Sequence, residues 1–537
     1  MTPTRTTRAQ RLSMPLARHV VRDLAVEHGG CIRPVQLRRT DLDTGQVQQV
    51  LVPCGHTQAD TCPSCAERAK SLRAAQCREG WHLDTEPAFD ADEPDDMQKW
   101  WTVLRSEAQQ MLDHADQAGH ETGDLDELKD ELDTEMSNAG IRGNVLPNRP
   151  TRRLRSTRRR QDAPDLPKRQ MSARTIGKTY TAPDGTTWRP SMFITLTCDS
   201  YGRVSGDGAP VDPGSYDYQR AARDAIHFAA LFDRLIQNLR RYLGYDVQYF
   251  AVIEPQKRLA PHVHVAIRGT VPRAELRQVL AATYHQVWWP QADQVIYEDG
   301  QLPIWHEPTG RYIDPDMGEF LPSWDDALDA IGPYDLPLHT ARFGERFDAK
   351  GLLAGTRDTS RAIGYLTKYL TKQLGHCHQT ATDRQADHAD RLADALRYEP
   401  CSPTCANWLR YGITPKNPRE GLRPGRCTGK AHRREHLGYA GRRVLVSRKW
   451  SGKTLADHRA DRKAWLLATL GIEEPDPSRY AWQLVSPGDP DHMPQAQRLL
   501  HIVADRQRWH TALVEARARA SGPPGGTPDL SATRRAA

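Results

Sequence analysis

Two rhythms of apolar residues run along this chain. Phe193–Thr197 (FITLT), Tyr249–Ile253 and His262–Ile267 are short, β-rich apolar runs and predict strands. Phe228, Leu231, Leu235 and Leu239 recur at helical spacing and predict a helix over Ala221–Leu243. A second helix is expected over Arg273–Val287. A third is expected over Thr359–Leu374, opened by Thr359 or Ser360 and closed by Gly375. Strand and helix signals thus alternate from Met171 to about Gln373, the pattern of one domain that mixes sheet and helix.

Outside that region the signals are mostly helical. Leu16–Val26 is amphipathic, Trp101, Leu104 and Ala108 share one face of a helical tract over Trp100–Met136, and Lys463–Leu470 and Gln495–Ala518 close the chain. Asp84–Asp96 and Asn138–Gln170 lack apolar periodicity and read as linkers, and the tail Ser521–Ala537 reads as disordered. Trp288–Gly351 is rich in turn residues; its Trp288, Trp289, Trp305 and Trp324 are expected in a core rather than as stacking platforms for bases. The organisation expected is an N-terminal segment (1–30), a Cys-rich region (31–83), a helical and acidic then basic linker (84–170), a catalytic domain (171–375), a second Cys/His region (376–455), a helical region (456–520) and the tail.

Composition narrows the class. The chain has 537 residues, 38% of them hydrophobic, too many for one core at roughly 150 residues per domain. No apolar run approaches the ~20 residues of a membrane-spanning helix. The basic start, Met1–Arg11, leads into no apolar stretch, which argues against a secretory signal. A soluble cytoplasmic protein is expected. The net charge of +6 is modest, but its distribution is not even. Glu121–Glu135 holds eight acids and one lysine, Thr151–Arg169 eight basic residues against two acids, and Arg410–Lys453 thirteen against two. Segregated basic blocks point to a phosphate-backbone partner.

The residues that carry chemistry fall into three groups. In Pro261-His262-Val263-His264, two imidazoles would share one face of a strand while Val263 and Val265 enter the core. Glu254 ends the preceding strand, and the intervening turn can bring its carboxylate to both histidines. Two histidines and a carboxylate leave coordination positions open for a phosphate oxygen. Second, Tyr365 and Tyr369 stack four apart on the third helix, with Lys368 and Lys372 on the adjacent face. A phenol titrates near ~10, so as a nucleophile it needs lysine charge and an activated electrophile, and both are in this chain. Third, the ten cysteines cluster at ligand-like spacings. Cys54, Cys62 and Cys65, with either Cys31 or Cys77, would hold one structural Zn²⁺, His56 being near. Cys401, Cys405, Cys427 and His432 would hold a second, with His436 spare. Arg442, Arg443, Arg448, Lys449 and Lys453 follow directly and are candidates for DNA-backbone contacts. Ser451-Gly452-Lys453-Thr454 suggests a phosphate-binding loop, but Ser447 stands where that motif needs glycine.

Together these segments resemble the HUH endonuclease superfamily, specifically rolling-circle replication initiators. FITLT resembles the first motif, Pro-His-Val-His with Glu254 the second, and Tyr365-x-x-Lys368-Tyr369-x-x-Lys372 the third, in its two-tyrosine form. More narrowly, the chain resembles initiators of actinomycete plasmids and integrative elements, a likeness that takes in the Cys54–Cys77 region, Cys401–Cys405 and Gly438–Trp450. Histidines before tyrosines is the order of replication initiators rather than conjugative relaxases. The resemblance implies an HUH-type antiparallel sheet with flanking helices, with Mg²⁺ or Mn²⁺ on His262, His264 and Glu254. It implies a 5′-phosphotyrosyl link to nicked origin DNA, double- and single-stranded DNA as partners, and a 3′-OH extended by host polymerase with a host helicase. The order of the two tyrosines stays open, with a lean to Tyr369. The competing readings are a single-strand DNA transposase or relaxase of the same superfamily and a non-catalytic, zinc-containing DNA-binding regulator.

Overall fold

A computed structural model describes residues 7–521 apart from 84, 88–93, 121–122, 140, 142–165, 167–168, 173–178, 182, 186, 299, 333, 354, 369, 371–381, 442 and 475. Tyr369, Lys372, Arg442, most of the expected basic linker and nearly all of the tail lie outside the described residues. Contacts divide the chain into residues 1–87 with 164–537, and residues 88–163.

After a short helical turn over Arg8–Ser13, the larger unit holds α1 (Pro15–Glu27), β1 (Val35–Asp41), β2 (Val47–Val52) and α2 (Pro63–Trp81). The smaller unit holds α3 (Asp96–Ala118) and α4 (Gly123–Asn138). The larger unit resumes with β3 (Pro190–Cys198), α5 (Tyr218–Leu243), β4 (Tyr249–Pro255), β5 (Pro261–Arg268), α6 (Arg273–Ala281) and β6 (Tyr284–Val287). It ends with β7 (His339–Leu353), α7 (Arg357–Lys368), α8 (Asp383–Tyr398), β8 (Val444–Val446), α9 (Leu455–Leu470), β9 (Tyr480–Leu484) and α10 (Gln495–Ser521).

Six strands make one antiparallel sheet in the order β8-β4-β5-β3-β7-β6, so the fold is mixed α+β with an antiparallel sheet. Its two faces are covered differently. One carries Ile194, Leu196, Val263, Val265 and Ile267 against Phe228, Leu231, Phe232, Leu235 and Leu239 of α5, with Leu392 and Leu396 of α8. Helix α5 starts where Asp217 accepts from the Arg220 amide at 2.9 Å and stops at Gly244, whose φ of 73° favours glycine. The opposite face buries Phe250, Val252 and Ala266 under Trp81, Trp450, Ile363 and Leu366, from α2, the segment after β8 and α7. Trp81 and Trp450 meet edge to face at 6.0 Å. The approach is close enough that a side chain at Gly80 would collide with the Trp450 ring and carbonyl. Burying each of these large side chains contributes about 2–3 kcal/mol, and this core fixes α7 above the sheet.

Three expectations are corrected. The helix expected over Arg273–Val287 ends at Ala281, and Tyr284–Val287 pairs with β7 instead, which satisfies backbone groups at that edge of the sheet. The last part of the turn-rich Trp288–Gly351 segment contains most of β7. Its exposed Arg342, Glu345, Arg346, Asp348 and Lys350 hide the apolar alternation, and the strand lies between β6, which its first four residues pair, and β3, along which its register shifts between Phe343 and Phe347. Helix α7 begins at Arg357, two residues before the expected start, with the Thr356 hydroxyl accepting from the Thr359 amide. Trp289 and Trp324 share a core with Trp408 and Tyr411 of the second Cys/His region, and Trp305 packs on Tyr312.

The two ends of the larger unit are built together. Strand β9 pairs with β1, Trp482 opposite Arg39, and Val21 and Ala25 of α1 pack on Leu499 and Val503 of α10. In the smaller unit α3 and α4 bury Ala108, Leu112, Leu132 and Met136 and are joined by an Arg105–Asp133 ion pair at 2.7 Å.

Buried Arg223 ties α5 to the rest of the larger unit. Its guanidinium meets Glu399 at 2.6 Å and Asp293 at 2.8 Å and donates to the Leu338 and Ala292 carbonyls at 3.2 Å. Arg223→Ala leaves the buried Glu399 carboxylate without its cation and is expected to cost about 3–5 kcal/mol, measured by thermal or denaturant unfolding.

Candidate active site and metal centres

The period of two along each strand assembles the site. On β5, Ala266 lies in the Trp81–Trp450 core, and His264 and His262 continue the same face toward the strand's start. Antiparallel register places His262 opposite Glu254 on β4 and opposite Thr197 on β3, and His264 opposite Thr195. The two imidazole centroids are 4.5 Å apart at 89°. Glu254 Oε1 lies 3.1 Å from His264 Nε2, with both side chains largely buried. One ligand atom from each of Glu254, His262 and His264 lies within 4.8 Å of the others, a set that could hold a metal ion.

Both rings are held at their other nitrogen. Thr195 Oγ1 is 2.9 Å from His264 Nδ1, and Thr197 Oγ1 is 2.7 Å from His262 Nδ1. Gln256 donates to the Thr197 hydroxyl at 3.3 Å, its amide oriented by Arg258, which donates to Gln256 Oε1 at 2.8 Å. Burial, with the neighbouring His264, lowers the His262 pKa to about 4, so this ring is neutral at pH 7. Burial pushes Glu254 up, but the hydrogen bond from His264 and the charges around it prevail and hold the carboxyl below its ordinary value. The trio is therefore an anionic carboxylate beside a neutral imidazole, the donor set a divalent cation takes.

Helix α7 brings Tyr365 to this point. Its ring stands edge-on to His264 at 4.8 Å and to Phe193 at 6.1 Å, and the residue is 43% exposed. Lys368 lies one turn on, exposed, at the helix end. A cavity of about 860 Å³ opens here, lined by His262, His264, Tyr365, Lys350 and Arg361 among others. A set that could hold a metal ion and an accessible phenol thus meet at one open cavity lined by charges of both signs, Lys350 and Arg361 with Asp348 and Asp358.

Two further groups could each hold a zinc ion. Cys31, Cys54, Cys62 and Cys65 converge where α2 begins. The Cys54–Cys65 and Cys31–Cys62 sulfur pairs are 3.8 Å apart, the edge of a tetrahedron of sulfurs about 2.3 Å from a central zinc. The fourth ligand left open by the sequence is thus Cys31. Cys77 is not in the group: it is buried beside Trp81 and Trp450, and burial raises its thiol pKa strongly. Cys401, Cys405, Cys427 and His432 form the other group. His432 Nδ1 donates to the Leu396 carbonyl at 2.7 Å, which turns Nε2 toward the Cys405 sulfur at 3.5 Å. His436 lies outside the group, against Glu435. The purified chain should carry two zinc ions by elemental analysis, and Cys62→Ser should lower the melting midpoint by about 10 °C or more.

The basic run is partly structural. Val444–Val446 is an edge strand on β4 and Trp450 is core. Lys449 lies 3.7 Å from Asp246 and Lys453 2.7 Å from Asp461, Arg443 is half-buried, and Arg448 is exposed. Reading the sequence missed Thr195, Thr197, Gln256, Asp348, Lys350 and Arg361. The alternating threonines of FITLT were the available signal, since a β-rich run beside His-x-His implies hydroxyls facing imidazoles once the strands pair.

Among the described residues this is an α+β protein with a His/His/Glu set beside a helix-borne tyrosine and two Cys-rich groups, three places that could each hold a metal ion. The sequence places it more narrowly. Residues 17–505 match the family described as RepSA, replication initiator protein of pSAM2, and the chain belongs to that family. Over 266 residues, 41% of this chain, it is 24% identical to a replication initiator protein of Streptomyces ambofaciens. That match spans about half the relative's length, 52%. No solved structure matches. Among the described residues no helix is long and apolar enough to cross a membrane.

Proposed function

We propose that this replication initiator is an HUH endonuclease of the two-tyrosine type that nicks and rejoins one strand of its element's origin DNA to start rolling-circle replication. The observation that carries this reading is Tyr365 standing beside His264 in one cavity with His262, with Glu254 3.1 Å from His264. His262, His264 and Glu254 would hold Mg²⁺ or Mn²⁺, which supplies charge withdrawal from a non-bridging oxygen of the scissile phosphodiester. The Tyr365 phenol loses its proton, its oxygen bonds to phosphorus, and the bond from phosphorus to the 3′ oxygen breaks. That oxygen takes a proton and becomes the 3′-OH that host polymerase extends behind a host helicase. The 5′ end stays on the enzyme as a phosphotyrosine, so the energy of the broken ester is retained for rejoining. Lys368 and Lys372 stabilise phosphate charge, and Tyr369 is assigned the second transfer, which releases the displaced circle.

Arg442, Arg443, Arg448, Lys449 and Lys453 are assigned to the DNA backbone in this reading, with exposed Arg448 the clearest of them. Arg448→Ala should weaken origin binding and reduce the log–log salt slope by about 1. The reading is tested by incubating the protein with supercoiled origin DNA with and without Mn²⁺. It requires metal-dependent conversion to nicked circles with protein covalently attached. Tight binding with neither nick nor adduct favours a DNA-binding regulator.

A further inference from the structure

We infer that Thr195 and Thr197 are positioning residues that set the metal affinity of His262 and His264, the hydroxyls fixing which nitrogen of each ring faces the ion. The inference rests on the assignment of those histidines as metal ligands and goes beyond it. Three features support it. Cross-strand register puts each threonine directly opposite one histidine, at hydroxyl-to-Nδ1 distances of 2.9 Å and 2.7 Å. Threonine is β-branched, so its χ1 is restricted and the hydroxyl is a nearly fixed point on a strand paired on both sides. The Thr197 hydroxyl is itself held by Gln256, whose orientation Arg258 sets while also donating to the Cys198 and Asp199 carbonyls at 2.7 Å and 3.0 Å. The end of β3 and the turn before β5 are thereby locked to one another.

The consequence follows from the chemistry of imidazole. His264 Nε2 lies 3.1 Å from Glu254 Oε1, where its N–H donates to the carboxylate. A cation bound there displaces that proton, and the Thr195 hydroxyl, which can donate to Nδ1 or accept from it, then takes the Nδ1–H that leaves the lone pair on Nε2. Without the hydroxyls each ring can exchange tautomers and rotate, and the ligand set must be ordered when the cation arrives. Such outer partners of ligating histidines typically change metal affinity 10–100-fold. The alternative is that the hydroxyls only satisfy a buried ring nitrogen, which would affect stability and leave affinity for the cation alone.

The test is Mn²⁺ affinity of the full-length, zinc-loaded protein, read by electron paramagnetic resonance of free Mn²⁺, with unfolding followed in parallel. Thr195→Val and Thr197→Val keep size and β-branching and lose the hydroxyl; each is expected to weaken Mn²⁺ binding about 10-fold. Thr195→Ser and Thr197→Ser restore the oxygen and are expected within about 3-fold of the parent. If the valine variants bind Mn²⁺ as the parent does, the positioning role is overturned while the ligand assignment stands. If the parent binds none beyond its zinc, both fall. If a valine variant is unfolded, the serine variant decides: weakening by 10-fold or more with a native melting curve overturns the inference, and parent-like binding supports it.

Discussion

Tyr365→Phe is expected to reduce single-turnover cleavage of a single-stranded origin oligonucleotide by about 10³-fold or more. The substitution removes one oxygen and leaves the ring, so the edge contacts to His264 and Phe193 and the packing of Ile363 and Leu366 beneath α7 persist. Origin binding and the melting midpoint should therefore be unchanged, and the loss is chemical. Full retention of first-strand cleavage would pass the initial attack to Tyr369, the order the sequence leaned toward.

His264→Ala carries the second large effect. His264 links the set: its Nε2 lies on Glu254, its ring packs on His262, and it faces Tyr365. Removing it should abolish Mn²⁺-dependent nicking, a loss of about 10³-fold or more, while duplex origin binding stays within about 2-fold. Because the side chain is buried, His264→Gln is the companion variant: it fills the space and is expected to lose nicking equally. Joint loss of nicking and duplex binding in both variants would make His264 a structural residue. The site also has a defined acid limit. The folded His262 pKa of about 4 lies below its ordinary 6.5, so the unfolded chain takes the proton first. Its burial costs stability progressively as pH falls from 6.5 toward 4, and nothing above 6.5. Stability measured at pH 5 should accordingly be below that at pH 7, and His262→Gln should reduce the difference.

How far the sequence reached follows from the range of the interactions. Local signals located the strand pair around Pro255–Pro261 and the long helix α5, because period and turn chemistry are written within a dozen residues. The Glu254, His262 and His264 set was legible for the same reason: eleven residues and one tight turn hold all three. What depends on distant pairing was not. Strand β7 is disguised by its charges, and β6 was absorbed into the preceding helix, since an edge strand of four residues shows little alternation. The choice between Cys31 and Cys77 could not be made from spacing, because it depends on how α2 lies on the sheet: its start faces the sulfur cluster and its end, at Cys77 and Trp81, enters the core beneath the site. The basic run after the second Cys/His group read as one DNA-binding stretch because charge is visible in a sequence and ion-pair partners such as Asp246 and Asp461 are not.

The measurement that tests the central claim most directly is peptide mapping of a covalent protein–DNA adduct. Purified protein is incubated with origin DNA in the presence and absence of Mn²⁺, denatured, digested and analysed by mass spectrometry. Trypsin cuts after Arg361 and Lys368, which puts Tyr365 and Tyr369 on separate peptides. The prediction is a metal-dependent nucleotide adduct on the peptide Ala362–Lys368, lost in Tyr365→Phe and in His264→Ala. Tight origin binding with no nick and no adduct on either tyrosine peptide, with Mn²⁺ or Mg²⁺ and on duplex or single-stranded DNA, would contradict the nuclease and leave a zinc-containing DNA-binding protein in its place.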